Sequence, residues 1–184
     1  MIYEVVLTTK RGSEFNIAPM GIRFLEDRYL LISPFKTSDT YEFLKATGEA
    51  VVNFVDNVEI IAKSVILDPV FPWDSAEVVD GWVLKDAYMY MEVKVCSILE
   101  GKNKANFKAK VLLERVRRAP CIFNRARFLV IEGAILVSRL GIYPEKKITD
   151  FFRNKERIVF RTGGDKEKRA WVYLRDFLRS EGLL

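Results

Sequence analysis

A β-barrel carrying two inserted helices and followed by a basic helical unit is the fold class that three observations predict. Up to about residue 118 of this 184-residue chain, short runs rich in β-branched and aromatic residues alternate with turns. From Asn124 onward apolar residues recur instead at helical spacing. Charge changes sign between the two parts: residues 1–100 carry 9 Lys and Arg against 16 Asp and Glu, a net of −7, and residues 101–184 carry 21 against 9, a net of +12. With 49% hydrophobic and 30% charged residues the chain has ample material for a core. The expected division is residues 1–120 for the barrel and 121–184 for the helical unit.

The strands are expected at Ile2–Thr9, Phe15–Phe24, Tyr29–Ile32, Glu49–Val55, Tyr88–Leu99 and Phe107–Arg117. Lys10-Arg11-Gly12-Ser13 reads as the first turn. Pro19 and Gly21 disturb the second strand, and Ser33-Pro34 ends the third. Thr37–Thr47 has helical spacing behind a Ser/Asp/Thr-rich start, with Gly48 as its stop. Asn57–Leu67 places Val58, Ile61, Ala62 and Val65 on one stripe of a second helix, capped by Asn57 or Asp56. Asp68–Gly81, with Pro69, Phe71, Pro72 and Trp73, reads as a loop whose large apolar side chains cover something. Glu100-Gly101-Lys102-Asn103 is the turn of a hairpin. Arg125–Leu140, Lys146–Phe160 and Asp165–Ser180 are the helices of the basic unit; in the last, Trp171, Leu174, Phe177 and Leu178 share a stripe.

Histidine is absent. That excludes Ser-His-Asp and Cys-His nucleophilic machinery, histidine-ligated metals and imidazole acid–base chemistry. Cys96 and Cys121 are too few for a structural zinc site and read as small apolar residues, with a disulfide as the alternative. No metal is expected. No apolar run approaches the roughly 20 residues that span a bilayer, and the sequence from Met1 runs directly into a strand, so the expected location is the cytoplasm. With so few reactive side chains, redox or group-transfer chemistry falls to a bound cofactor.

Residues 15–53 carry the candidate site. A strand broken by Pro19 and Gly21 lets backbone lie against a flat ligand, with Met20 able to pack on it. The run Lys36-Thr37-Ser38-Asp39-Thr40 opens a helix, where first-turn amides, the hydroxyls of Thr37, Ser38 and Thr40 and the charge of Lys36 suit a phosphate. A planar molecule with a phosphate tail fits both, and flavin mononucleotide (FMN) is the obvious candidate. The competing reading of Ser38-Asp39-Thr40 is a plain helix cap. Arg23 is either a solvated strand residue or a positive charge near the flavin ring. Asn53, an amide inside an apolar strand, bonds either the cofactor or a neighbouring loop.

The elements Asn16, Ala18, Pro19 and Gly21 of the second strand, Lys36, Ser38, Asp39 and Thr40, and Thr47 to Asn53 follow one another as in flavin-reductase-like split barrels. In these motifs the chain resembles an archaeal family of FMN-binding split-barrel proteins, over residues 1 to about 118 and also in its helical tail. The resemblance implies a homodimer with FMN near the subunit interface. It also implies contacts from the second strand to the isoalloxazine, from the turn before the helix to the phosphate, and a small-molecule electron donor or acceptor. Members of that superfamily commonly take hydride from a nicotinamide, and many carry a histidine in the C-terminal region that this chain lacks.

Trp73 and Trp82 either wall the flavin or belong to the core. The tract Arg115, Arg117, Arg118, Arg125, Arg127 either follows a nucleic-acid backbone or pairs with acidic groups of the first hundred residues. Three functions stay open: a flavin-dependent oxidoreductase, a non-catalytic flavin carrier or sensor, and a nucleic-acid-binding small barrel.

Overall fold

The computed structural model describes residues 1–67, 69–121 and 124–184. Asp68, the expected first residue of the covering loop, and Ile122 and Phe123, near the expected start of the helical unit, lie outside them. The chain forms two compact units, one of residues Met1–Asp56 and Val70–Pro120, the other of Asn57–Pro69 and Cys121–Leu184.

The first unit is a six-stranded antiparallel barrel in the order β1-β2-β3-β8-β7-β4. Its strands are β1 (Tyr3–Arg11), β2 (Glu14–Phe24), β3 (Tyr29–Ile32), β4 (Glu49–Phe54), β7 (Met89–Glu100) and β8 (Ala105–Val116). Helix α1 (Asp39–Thr47) connects β3 to β4. Alternation along the strands sends Val5, Leu7, Ile22, Leu30, Ile32, Val52, Val93 and Phe107 into one core, all at most 1% exposed. Each such side chain contributes roughly 1.5–3 kcal/mol by leaving water. Gly48 stops α1 in the left-handed region (φ 68°), and its N–H returns to the Leu44 carbonyl.

The segment expected to be a covering loop is more ordered than the sequence suggests. β5 (Trp73–Ser75) and β6 (Trp82–Leu84) form a two-stranded ribbon. The cover is real: Val79 and Val83 pack on Val51 and Tyr90 on the outer barrel face. Glu92, fully buried on β7, holds this segment by accepting the backbone N–H groups of Glu77, Val78 and Val79 at 2.8, 2.6 and 3.1 Å.

The second unit comprises α2 (Val58–Ser64), α3 (Arg125–Val137), α4 (Glu145–Thr162) and α5 (Asp165–Ser180). Helix α2, expected as a barrel insertion, packs instead on α3 and α5, because it buries Val58, Ile60, Ile61 and Ala62 on nearly every side. Trp171 of α5 is fully buried against Phe152 of α4, ring centroids 4.6 Å apart. Among the described residues no helix is long and apolar enough to cross a membrane.

Both cysteines are exposed and outside any disulfide, which corrects their reading as small apolar residues. Cys96 sits where β7 shifts register between Val95 and Ser97, so the alternation that would bury it is broken there.

Candidate functional site

Strand β2 has an open edge. β1 pairs with it from Glu14 to Ile22, whereas β3 covers only Ile22, Arg23 and Phe24. Residues Glu14 to Gly21 therefore have a strand on one side and none on the other. Ala18, Pro19, Met20 and Gly21 are all half-buried there, unlike the sealed Ile17 and Ile22 on either side. Pro19 suits such an edge because it has no N–H to leave unpaired. Met20 leans on the barrel core. Gly21 differs from the expected cradle: a Cβ at this position would meet the Ile2 side chain at 2.8 Å, so its bare face lies under the N-terminal strand.

The start of α1 stands beside the same strand. Asn16 is buried, and its amide donates to Thr9 Oγ1 at 3.2 Å and to Thr40 Oγ1 at 3.1 Å. One side chain thus joins the strand expected to meet a ring to the helix expected to meet a phosphate. Ser38 is the N-cap: its hydroxyl accepts from the Tyr41 N–H at 3.3 Å and donates to the Phe35 carbonyl at 2.7 Å. That corrects its assignment as a phosphate ligand, since its one hydroxyl proton already goes to the Phe35 carbonyl. Capping leaves other donors over. The backbone N–H groups of Thr37, Asp39 and Thr40 meet no acceptor among the described residues, and a helix start favours an anion there.

Lys36 reaches into this corner. Its ammonium lies 3.0 Å from Glu100 Oε2, while its N–H donates to the Asn103 carbonyl at 3.0 Å. Tyr41 donates its hydroxyl to Glu100 at 2.9 Å. The Lys36 ammonium, and then the Tyr41 hydroxyl, hold the Glu100 carboxyl below the usual carboxylate range. The β7–β8 hairpin is therefore a wall of the site, although in sequence it lies some sixty residues from α1. No composition or spacing signal marks that contact.

Two candidates fall elsewhere. Asn53 is separated from β2 by β1 and is fully buried. Its amide donates to Thr8 Oγ1 (3.1 Å) and the Val51 carbonyl (3.3 Å), and its oxygen accepts the Leu84 N–H (2.8 Å). It fastens the β5–β6 ribbon to the barrel and leaves the candidate surface. Arg23 lies on β2 beyond the open stretch, opposite Leu31, and points to solvent. Trp73 and Trp82 stack on each other, centroids 4.3 Å and planes 8° apart, and Trp82 also meets Phe15 at 4.5 Å. This aromatic stack roofs the outer face of β2 rather than lining its open edge.

The arginines at the end of β8 are paired. Arg115 meets Glu77 at 3.1 Å, Arg117 meets Asp74 at 3.0 Å and Arg118 meets Asp56 at 2.7 Å. Acidic partners from the first hundred residues therefore claim these three cations of the tract, while Arg127 meets Glu167 at 3.2 Å. Among the described residues no group of three or more Cys, Asp or Glu is placed to hold a metal ion.

Comparison with known proteins extends this picture. Residues 3–118 match the model of the N-terminal domain of a protein of unknown function (DUF447), and residues 124–176 match the model of the remaining part of DUF447. The uncharacterized protein MJ1453 of Methanocaldococcus jannaschii is 30% identical over 193 residues, covering 96% of this chain and 98% of the relative. The FMN-bound DUF447 protein MM1853 of Methanosarcina mazei has the same fold, with a TM-score of 0.84 and 22% identity across 95% of this chain and 94% of that one. Flavoredoxin from Methanosarcina acetivorans shares the barrel at a TM-score of 0.58 and 16% identity, over 62% of this chain and 68% of its own.

Proposed function

Because the chain belongs to the DUF447 family, we propose that it binds FMN along the open edge of β2, with the phosphate at the start of α1. The observation that supports this most is the set of unpaired Thr37, Asp39 and Thr40 amides beside Lys36. A phosphate dianion supplies acceptors for several such donors at once. The Thr37 hydroxyl adds a donor, Thr40 keeps a hydroxyl proton to give while accepting from Asn16, and Ala18 to Met20 offer a half-buried strip to the ring. The Methanosarcina mazei protein that shares this fold is FMN-bound, which supports FMN as the ligand.

When bound, FMN supplies two-electron redox chemistry. The chain's own residues bind and orient: the Asn16 bridge to Thr40 sets the strand against the helix, and Lys36 with Glu100 fixes the hairpin wall. On this basis we read the protein as a flavin-dependent oxidoreductase working as a homodimer in the cytoplasm. Ile2, Tyr3, Phe24 and Leu25, all at least 40% exposed with Tyr3 edge-on to Phe24 at 5.1 Å, form an apolar surface suited to a second copy. A non-catalytic flavin carrier is the second reading. It is favoured by the bonding of Lys36 and Tyr41 to Glu100, which engages these groups with one another rather than leaving them to act as acid or base. Rapid reduction of bound FMN by NADH or NADPH in stopped flow separates the two.

Lys36→Glu tests the phosphate position. The substitution removes the cation and sets a second carboxylate beside Glu100. FMN affinity is expected to fall at least about tenfold, equivalent to roughly 1.4 kcal/mol, in a fluorescence-quenching titration. Wild-type affinity in the variant would put the phosphate elsewhere.

A further inference from the structure

Helix α4 buries Ile148, Thr149, Phe152 and Val159 and leaves its opposite face in water. On that face Arg153, Arg157 and Arg161 stand exposed, one helical turn apart, with exposed Lys146 in line with them. At about 1.5 Å of rise per residue they are spaced by roughly 6 Å along the axis. Like charges four residues apart destabilise a helix, so such a row is unfavourable unless something offsets it. The side chains of Arg153, Arg157 and Arg161 make no ion pair or hydrogen bond among the described residues. Four other arginines of this unit are matched: Arg127 to Glu167 at 3.2 Å, Arg169 to Glu59 at 3.0 Å, Arg175 to Glu156 at 2.6 Å and Arg179 to Asp176 at 3.3 Å. Half-buried Asp150 is the carboxylate that helical spacing puts on the α4 ridge.

We propose that the exposed face of α4 is a docking surface for the phosphate backbone of a nucleic acid. The guanidinium fork matches phosphate oxygens in pairs. A row extending over two turns suits a polymer of phosphates better than a single anion. An acidic protein fits less well, because protein interfaces centre on desolvated apolar residues, and Phe160, 42% exposed, is the large apolar side chain on this ridge. Backbone contacts of this kind carry affinity without reading sequence.

The test uses the full-length protein with a fluorescein-labelled 20-nucleotide single-stranded RNA and a 20-base-pair DNA duplex, followed by fluorescence anisotropy between 50 and 200 mM KCl. Binding to either polymer is expected, weakening over that range roughly 12- to 42-fold for the duplex and roughly 7- to 18-fold for the single strand, for two to three neutralised phosphates. Arg153→Glu with Arg157→Glu is expected to lower affinity at least about tenfold at 50 mM KCl. Lys108→Glu with Lys110→Glu, the same change of net charge at exposed positions of β8, is expected to cost less than about twofold. Circular dichroism checks folding, and Arg153→Ala with Arg157→Ala replaces the reversal pair if that pair does not fold. Equal losses from both sites, no salt-sensitive binding to either polymer, or capture by phosphatidylcholine–phosphatidylglycerol vesicles without nucleic-acid binding would each overturn the proposal.

Discussion

Glu92→Ala is expected to destabilise the barrel by about 3–5 kcal/mol, the cost of breaking a buried charged cluster from one side. The carboxylate is fully buried and accepts from Glu77, Val78 and Val79 together. Alanine leaves those donors facing a cavity and frees the segment that packs Val79 and Val83 against Val51 and Tyr90. Glu92→Gln keeps the volume but turns one acceptor into a donor pointed at donors, so it should recover little. For a chain of this size 1 kcal/mol corresponds to roughly 2–4 °C in Tm, and the expected fall is about 6–20 °C. Hydrogen exchange localises the effect. Fast exchange at residues 77–79 with a lowered Tm supports the assignment, and an unchanged Tm with those amides still protected contradicts it.

Trp171→Ala should damage the helical unit on a similar scale, about 3–5 kcal/mol for removal of a large buried aromatic. Trp171 is fully buried, packs on Phe152 at 4.6 Å and Phe151 at 5.9 Å, and is admitted by Gly133 of α3. A Cβ at Gly133 would already stand 3.1 Å from the Phe152 ring and 3.6 Å from Trp171. The indole N–H has no hydrogen-bond partner among the described residues. Trp171→Phe therefore forfeits area but no hydrogen bond, and its cost should stay near 1–2 kcal/mol. Thermal unfolding followed at 222 nm checks the contrast. A phenylalanine variant as unstable as the alanine one would mean that the indole nitrogen does have a partner.

Local rules predicted much of the barrel. Alternation located β1, β2, β7 and β8, and Ser38 with Gly48 bounded α1. Helix α2 was visible as a helix, but its place was not, because an all-round apolar segment such as Val58–Ala62 does not say which surface buries it. The ribbon of β5 and β6 escaped notice since strands of three residues carry too little periodicity, and their anchor, Glu92, sits in a strand that otherwise reads as apolar. At the candidate site the sequence supplied Asn16, Lys36 and Thr40; folding joins Asn16 to Thr40 through one amide and ties Lys36 to Glu100 by one ion pair. Asn53 looked equivalent from its chemistry. Three short bonds inside the barrel wall decide its role, and pairings between residues so far apart in the chain leave no local trace.

The proposed site depends on a flavin phosphate at the start of α1. Parallel titrations of FMN and of riboflavin, which has the ring without the phosphate, test it most directly by fluorescence quenching. FMN should bind with at least about tenfold higher affinity than riboflavin, a difference of roughly 1.4 kcal/mol. Equal affinity for the two, or quenching of neither at millimolar protein, would contradict it.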